Sequence, residues 1–171
     1  MCRIGITVTA CLLNCTDVGD FVLTTEAGQP QGDVAPVDFP TLNGLRVLVV
    51  DNDLDTRELF TFVLEEKGAV VSAVASACEA LEVMQATPFD LLISDIGLPD
   101  IDGFRFLRQV RALAVASNAQ IPAMAITGFA DDKMRLQILA AGFQQTLTKP
   151  TDLDQFVAIV VELAERQRQF V

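Results

Sequence analysis

Five short apolar runs recur between residues 46 and 149: RVLVVD (46–51), AVVSAV (69–74), DLLISD (90–95), IPAMAIT (121–127) and FQQTLTK (143–149). Apolar runs this short, bounded by turn residues, read as strands buried on both faces. Their alternation with amphipathic stretches is the pattern of βα units on a parallel sheet. The intervening segments carry helix boundary signals. Ser76 and Glu79 have the spacing of a capping box, Gly68 and Gly142 stand as C-terminal stops, and Pro88 ends another helix. A final helix from about Asp152 to Gln169 places Leu153, Phe156, Val157, Val160 and Leu163 on one side. The expected fold class is α/β, a (βα)5 doubly wound parallel sheet with helices on both faces.

The N-terminal part lacks this texture. Residues 24–44 scatter Pro30, Pro36, Pro40 and three glycines among polar residues with no helical or strand period, which reads as a linker. The expected organisation is an extension of unassigned role over residues 1–23, a linker over 24–44 and one folded domain over 45–171. Met1–Cys15 has Arg3 and a mildly apolar stretch, but Gly5, Thr7 and Thr9 dilute it and Asn14 suits a lipoprotein cleavage site poorly, so the expected location is cytoplasmic, with no membrane association.

With 171 residues, 51% of them hydrophobic, the chain has ample material for one core. A net charge of −11 and the absence of a basic stripe argue against nucleic acid as a partner. The chain contains no His, which excludes an internal histidine phosphodonor, a Ser-His or Cys-His pair and any His-containing zinc site. Cys2, Cys11, Cys15 and Cys78 form no CxxC pair and suggest neither a metal site nor a disulfide framework.

In an open parallel sheet, polar residues at the carboxyl ends of strands converge on one crevice. Here those residues are Asp51, Asn52 and Asp53 after the first strand, Asp95 at the third, Thr127 at the fourth and Lys149 at the fifth. Taken singly, each has an ordinary role: Asp caps helices, Thr populates strands, and Lys before Pro belongs to loops. Together they describe a chemistry. Clustered carboxylates repel unless a cation neutralises them, and Mg²⁺ is commonly held by one or two carboxylates, water and substrate phosphate. A phosphoryl group in transfer needs its oxygens neutralised, which Lys149 and the Thr127 hydroxyl would assist, with Asp95 as nucleophile.

The pieces VLVVDNDLDTRELF, LLISDIGLPDIDGFRFLRQVR, IPAMAITGFA and AGFQQTLTKP, spanning about residues 45–165, resemble the receiver domains of two-component response regulators. The opening LNGLRVLVVD also resembles the linker–receiver junction of hybrid sensor kinases. The resemblance implies a flavodoxin-like fold with strand order 2-1-3-4-5 and a cis Lys149–Pro150 peptide. It also implies a phosphoacceptor at Asp95, a Mg²⁺ site formed by Asp51, Asn52, Asp95 and the backbone carbonyl of Gly97, and phosphoryl contacts from Thr127 and Lys149.

The phosphodonor it implies is a histidine kinase or histidine phosphotransfer domain in trans. Output would pass to a downstream protein through the face of the fourth helix, fifth strand and fifth helix, with a homodimer left open. The domain is then a signalling phosphoacceptor rather than an enzyme, its chemistry limited to Mg²⁺-dependent self-phosphorylation and slow autodephosphorylation.

Three departures stand out. Asn52 replaces the second acid of the metal pair, which implies weaker Mg²⁺ binding. Thr146 stands at the switch position where the family usually has Tyr or Phe, so of the switch pair only Thr127 keeps its family character. Gly97 and Phe129, at positions that tune acyl-phosphate hydrolysis, suggest slow loss of the phosphoryl group. Two other readings compete. One is a receiver-like interaction module independent of phosphorylation, favoured by Asn52 and Thr146. The other is a phosphatase, because DNDLDT resembles the aspartate motif of haloacid-dehalogenase-type enzymes.

Overall fold

The computed structural model describes residues 42–114, 116–128 and 131–169. The expectations for residues 1–23, for most of the linker and for Phe129 therefore lie outside the described residues. The five apolar runs form β1 (Arg46–Val50), β2 (Val70–Val74), β3 (Leu91–Asp95), β4 (Ala123–Thr127) and β5 (Gln145–Thr148). All four pairings are parallel and the order is β2-β1-β3-β4-β5. The expected doubly wound, flavodoxin-like sheet is the one observed.

The central strands are apolar on both faces because both faces are covered. On one side α2 (Ala77–Ala86), α3 (Gly103–Arg111) and α5 (Asp132–Ala140) enclose Leu48, Val50, Leu92, Ala123 and Ala125 with Met84, Phe106 and Ile138. On the other, α1 (Leu54–Glu65) and α6 (Leu153–Gln169) enclose Val47, Val49, Leu91, Ile93, Met124 and Ile126. Phe60 of α1 and Phe156 of α6 stack there, with ring centroids 4.3 Å apart and planes 15° from parallel. The expected core residues Phe156, Val160 and Leu163 of the last helix are buried as the periodicity indicated, while Leu153 and Val157 are partly so.

The core reaches back to Leu42, which is 1% exposed and whose N–H donates to the Lys67 carbonyl. Gly68 turns the chain between α1 and β2 at φ +89°. A Cβ there would fall 2.0 Å from Asn43 Oδ1 and 3.2 Å from Asn43 Cα, so a side chain would have to displace Asn43 in a backbone conformation that already favours glycine.

Two local details differ from the sequence expectations. Ser76 does cap α2, but Glu79 reaches back to the Ala75 N–H rather than to the Ser76 N–H of a capping box. A short sixth helix, α4 (Ala116–Ala119), precedes β4, so the face expected to carry output is α5–β5–α6 in the observed numbering. Among the described residues no helix is long and apolar enough to cross a membrane.

Candidate functional site

The strand order reverses between β1 and β3: the chain leaves β1 for β2 on one side and returns to β3 on the other. In doubly wound sheets that switch point opens a crevice at the carboxyl ends of the strands. Asp51 follows β1 directly, Asp95 is the last residue of β3 and Thr127 the last of β4, while Lys149 follows β5. Four of the residues singled out in the sequence thus share one end of the sheet.

Their burial is unusual for their chemistry: Asp51 is 1% exposed, Asp95 9% and Thr127 2%. Lys149 bridges the two carboxylates, with Nζ 2.7 Å from Asp51 Oδ2 and 3.2 Å from Asp95 Oδ2. Burial works against the ammonium, but the hydrogen bonds and charges of Asp51 and Asp95 outweigh it and raise its pKa above the usual lysine value. The remaining carboxylate oxygens are oriented by backbone, Asp51 Oδ1 by the Asp53 N–H and Asp95 Oδ1 by the Gly97 N–H, each at 2.9 Å. The Lys149 backbone N–H donates to the Thr127 carbonyl at 2.8 Å, tying the fifth strand end to the fourth, and the Lys149–Pro150 peptide is cis.

Asp53 is not a third acid of the cluster. It is the N-cap of α1, accepting from the N–H and hydroxyl of Thr56, and these bonds hold its carboxyl below the usual carboxylate range. Asn52 is exposed at the rim. Gly97 sits beside Asp95, since a Cβ there would lie 3.7 Å from Asp95 Oδ1. Thr146 is only partly buried on β5, facing a groove of about 420 Å³ that Thr127, Arg135, Ile159 and Glu162 help to line.

Two contributors escaped the sequence reading. Arg57 donates to the Asp51 carbonyl at 2.6 Å; its place in the first turn of α1 gave no sign of this. Gly103 begins α3 against the end of β3: a Cβ there would meet Ile96 Cα at 2.8 Å and the Asp95 carbonyl at 3.0 Å. The Asp-Gly pair at 102–103 was the available signal, read only as part of a motif.

An open α/β sheet with a buried carboxylate pair at its switch point marks the CheY-like class of fold. Residues 47–161 match the response regulator receiver domain, and the chain belongs to that family. A 14.6 kDa uncharacterized protein of Leptolyngbya boryana is 39% identical over 120 residues, covering 70% of this chain and 90% of that one. Response regulator Rre1 of Synechocystis is 34% identical over 125 residues, covering 72% of this chain and 53% of its own length, so this chain spans about half of that relative.

Among solved structures, a CheY-like receiver domain of Methanospirillum hungatei superposes with a TM-score of 0.68 at 26% identity, covering 75% of this chain and all of its own. The receiver domain of the sensor histidine kinase PA1611 of Pseudomonas aeruginosa, solved with a magnesium ion coordinated in its active-site cleft, shares the fold. Its TM-score is 0.64 at 24% identity, covering 71% of this chain and 98% of its own.

Proposed function

We propose that this chain takes up a phosphoryl group on Asp95 from a histidine kinase or histidine phosphotransfer domain and passes the signal on through protein contacts. The observation that carries this reading is the buried Asp51–Lys149–Asp95 bridge at the switch point. A carboxylate oxygen of Asp95 attacks phosphorus, the bond to the donor's imidazole nitrogen breaks, and the donor leaves as neutral histidine once protonated. The chain has no His of its own, so the donor lies outside the sequence given. Lys149 and Thr127 stand at adjoining strand ends, where they can contact the incoming oxygens.

The donor set fits magnesium. Two carboxylates, an amide oxygen at Asn52 and the Gly97 carbonyl are all hard oxygen ligands, and a single ammonium leaves the pair with net negative charge. When bound, Mg²⁺ supplies neutralisation of the phosphoryl oxygens. The fold relative with magnesium in its cleft supports the same assignment. Asn52 offers one negative charge fewer than an acidic residue, so Asn52→Asp should bind Mg²⁺ about tenfold more tightly, the scale of one further charge acting across a few ångströms of partly screened space. A titration followed by amide NMR measures this, and equal affinities would reject the role of Asn52.

Thr146 gives the switch pair no aromatic ring, so Thr127 carries the conformational response, with the α5–β5–α6 face as the proposed output surface. With no side chain at Gly97 to hold a hydrolytic water, the acyl phosphate is long-lived. Asn52 and Thr146 are the two residues that favour the rival reading, an interaction module that works without phosphorylation. Beryllofluoride with Mg²⁺ separates the two: amide shifts around Asp95, Thr127 and Lys149 support phosphoryl uptake, and an unchanged spectrum supports the module. The phosphatase reading draws less support, because Asp53 of the DNDLDT run caps α1.

A further inference from the structure

The loop joining β3 to α3, residues 96–102, contains Gly97, and its geometry is fixed from outside the cleft. Ile96 and Leu98 anchor its first half in the core, each 8% exposed. At its end Asp102 caps α3 through the Arg105 N–H, and the Gly103 N–H returns to the Ile96 carbonyl at 3.0 Å. Between these anchors the chain would be held only by its own turn, were it not for Asp100. That side chain crosses to a different element: its carboxylate accepts the N–H of Ala77 at 3.2 Å and of Cys78 at 2.8 Å, the first two residues of α2.

Ser76 already caps α2 through the Glu79 N–H, so Asp100 takes donors that the local cap leaves over, and its charge lies at the positive end of the helix. Burial opposes the charge of this carboxylate. The backbone N–H groups of Cys78, Ile101 and Ala77 prevail and hold its pKa at about 2.

We propose that Asp100 is a positioning residue for the phosphoacceptor site: by fastening the β3–α3 loop to the N-terminus of α2, it fixes the Gly97 carbonyl and the Gly97 N–H that orients Asp95. The inference rests on the assignment of Asp95 and Mg²⁺ made above. It sets the loop's stiffness from a contact outside the cleft, in the manner of the outer partners that orient metal ligands.

The test compares the full chain with Asp100→Ala, Asp100→Asn and Asp90→Ala. Asp90 pairs with Arg46 near the amino ends of β1 and β3, far from the cleft, and serves as a control for general destabilisation. Mg²⁺ affinity is read from the Gly97 amide by NMR, and phosphorylation by acetyl phosphate is followed against Mg²⁺ concentration. Asp100→Ala should raise the half-saturating Mg²⁺ concentration about tenfold while leaving the rate at saturation near that of the wild type. Asp100→Asn, which keeps one acceptor, should show a smaller loss in the same direction, and Asp90→Ala none.

Wild-type affinity in both Asp100 variants overturns the proposal, as does an equal loss in Asp90→Ala. If Asp100→Ala does not fold, the comparison of Asp100→Asn with the wild type decides alone. Failure of the wild type to bind Mg²⁺ or take up phosphate would instead remove the reading on which the inference stands.

Discussion

Lys149→Met should lower the rate of phosphoryl uptake about 10²- to 10³-fold, the loss expected when one preorganised cationic donor is removed from a site of charge transfer. Methionine keeps the length of the side chain and removes only the ammonium. In the wild type that ammonium lies 2.7 Å from Asp51 and 3.2 Å from Asp95, with its side chain 29% exposed, so solvent does little to replace it.

The same substitution should act on the metal with the opposite sign. Two carboxylates stripped of their ammonium attract a divalent cation more strongly, so Mg²⁺ affinity should rise while the rate falls. Stopped-flow uptake from a small phosphodonor, together with a Mg²⁺ titration, reads both quantities. A rate within threefold of wild type, or weaker Mg²⁺ binding, would remove Lys149 from the role given to it.

Phe156→Ala should produce the largest loss of stability, about 3–5 kcal/mol. Phe156 is fully buried and stacks on Phe60, so truncation deletes a ring from the seam between α1 and α6 and leaves a cavity that two helices packed on a sheet cannot close. Against a domain stability of about 5–15 kcal/mol, that loss removes a large fraction of the total. By contrast, the Arg46–Asp90 pair holds the Asp90 carboxyl below the usual range through hydrogen bonds, yet both side chains are partly exposed and their loss should cost about 1 kcal/mol or less. Urea midpoints followed by circular dichroism compare the two. The chain has no Trp or Tyr to report by fluorescence.

The sheet was legible because β1, β3 and β4 are buried on both faces and leave uninterrupted apolar runs, which also give away the parallel pairing. At β5 the signal weakens for a physical reason. Phe143 is a buried loop residue rather than the start of the strand, and Gln144 turns its side-chain oxygen to the Ala123 N–H. Helix α4 was invisible because its stability is not local. Its sequence ASNA has no amphipathic period, and Asn118 is buried by bonds to Phe89, Met84 and Thr87, residues about thirty positions away.

At the site, Asp51, Asp95, Thr127 and Lys149 were readable as polar residues that terminate apolar strands. Asp53 shared that signal and proved to be a helix cap, since a carboxylate three residues before a helical N–H has a nearer use than the cleft. Asp100 was missed for the converse reason: its partners lie at the start of a helix more than twenty residues earlier, and only the folded chain brings them together.

The central claim is that Asp95 accepts the phosphoryl group. The full chain, incubated with Mg²⁺ and acetyl phosphate and then mapped by peptide mass spectrometry, tests it most directly. The expected result is a single phosphoryl group per chain, located on Asp95 and absent from Asp95→Asn. An unmodified wild type, or a phosphoryl group on any other residue, would contradict it.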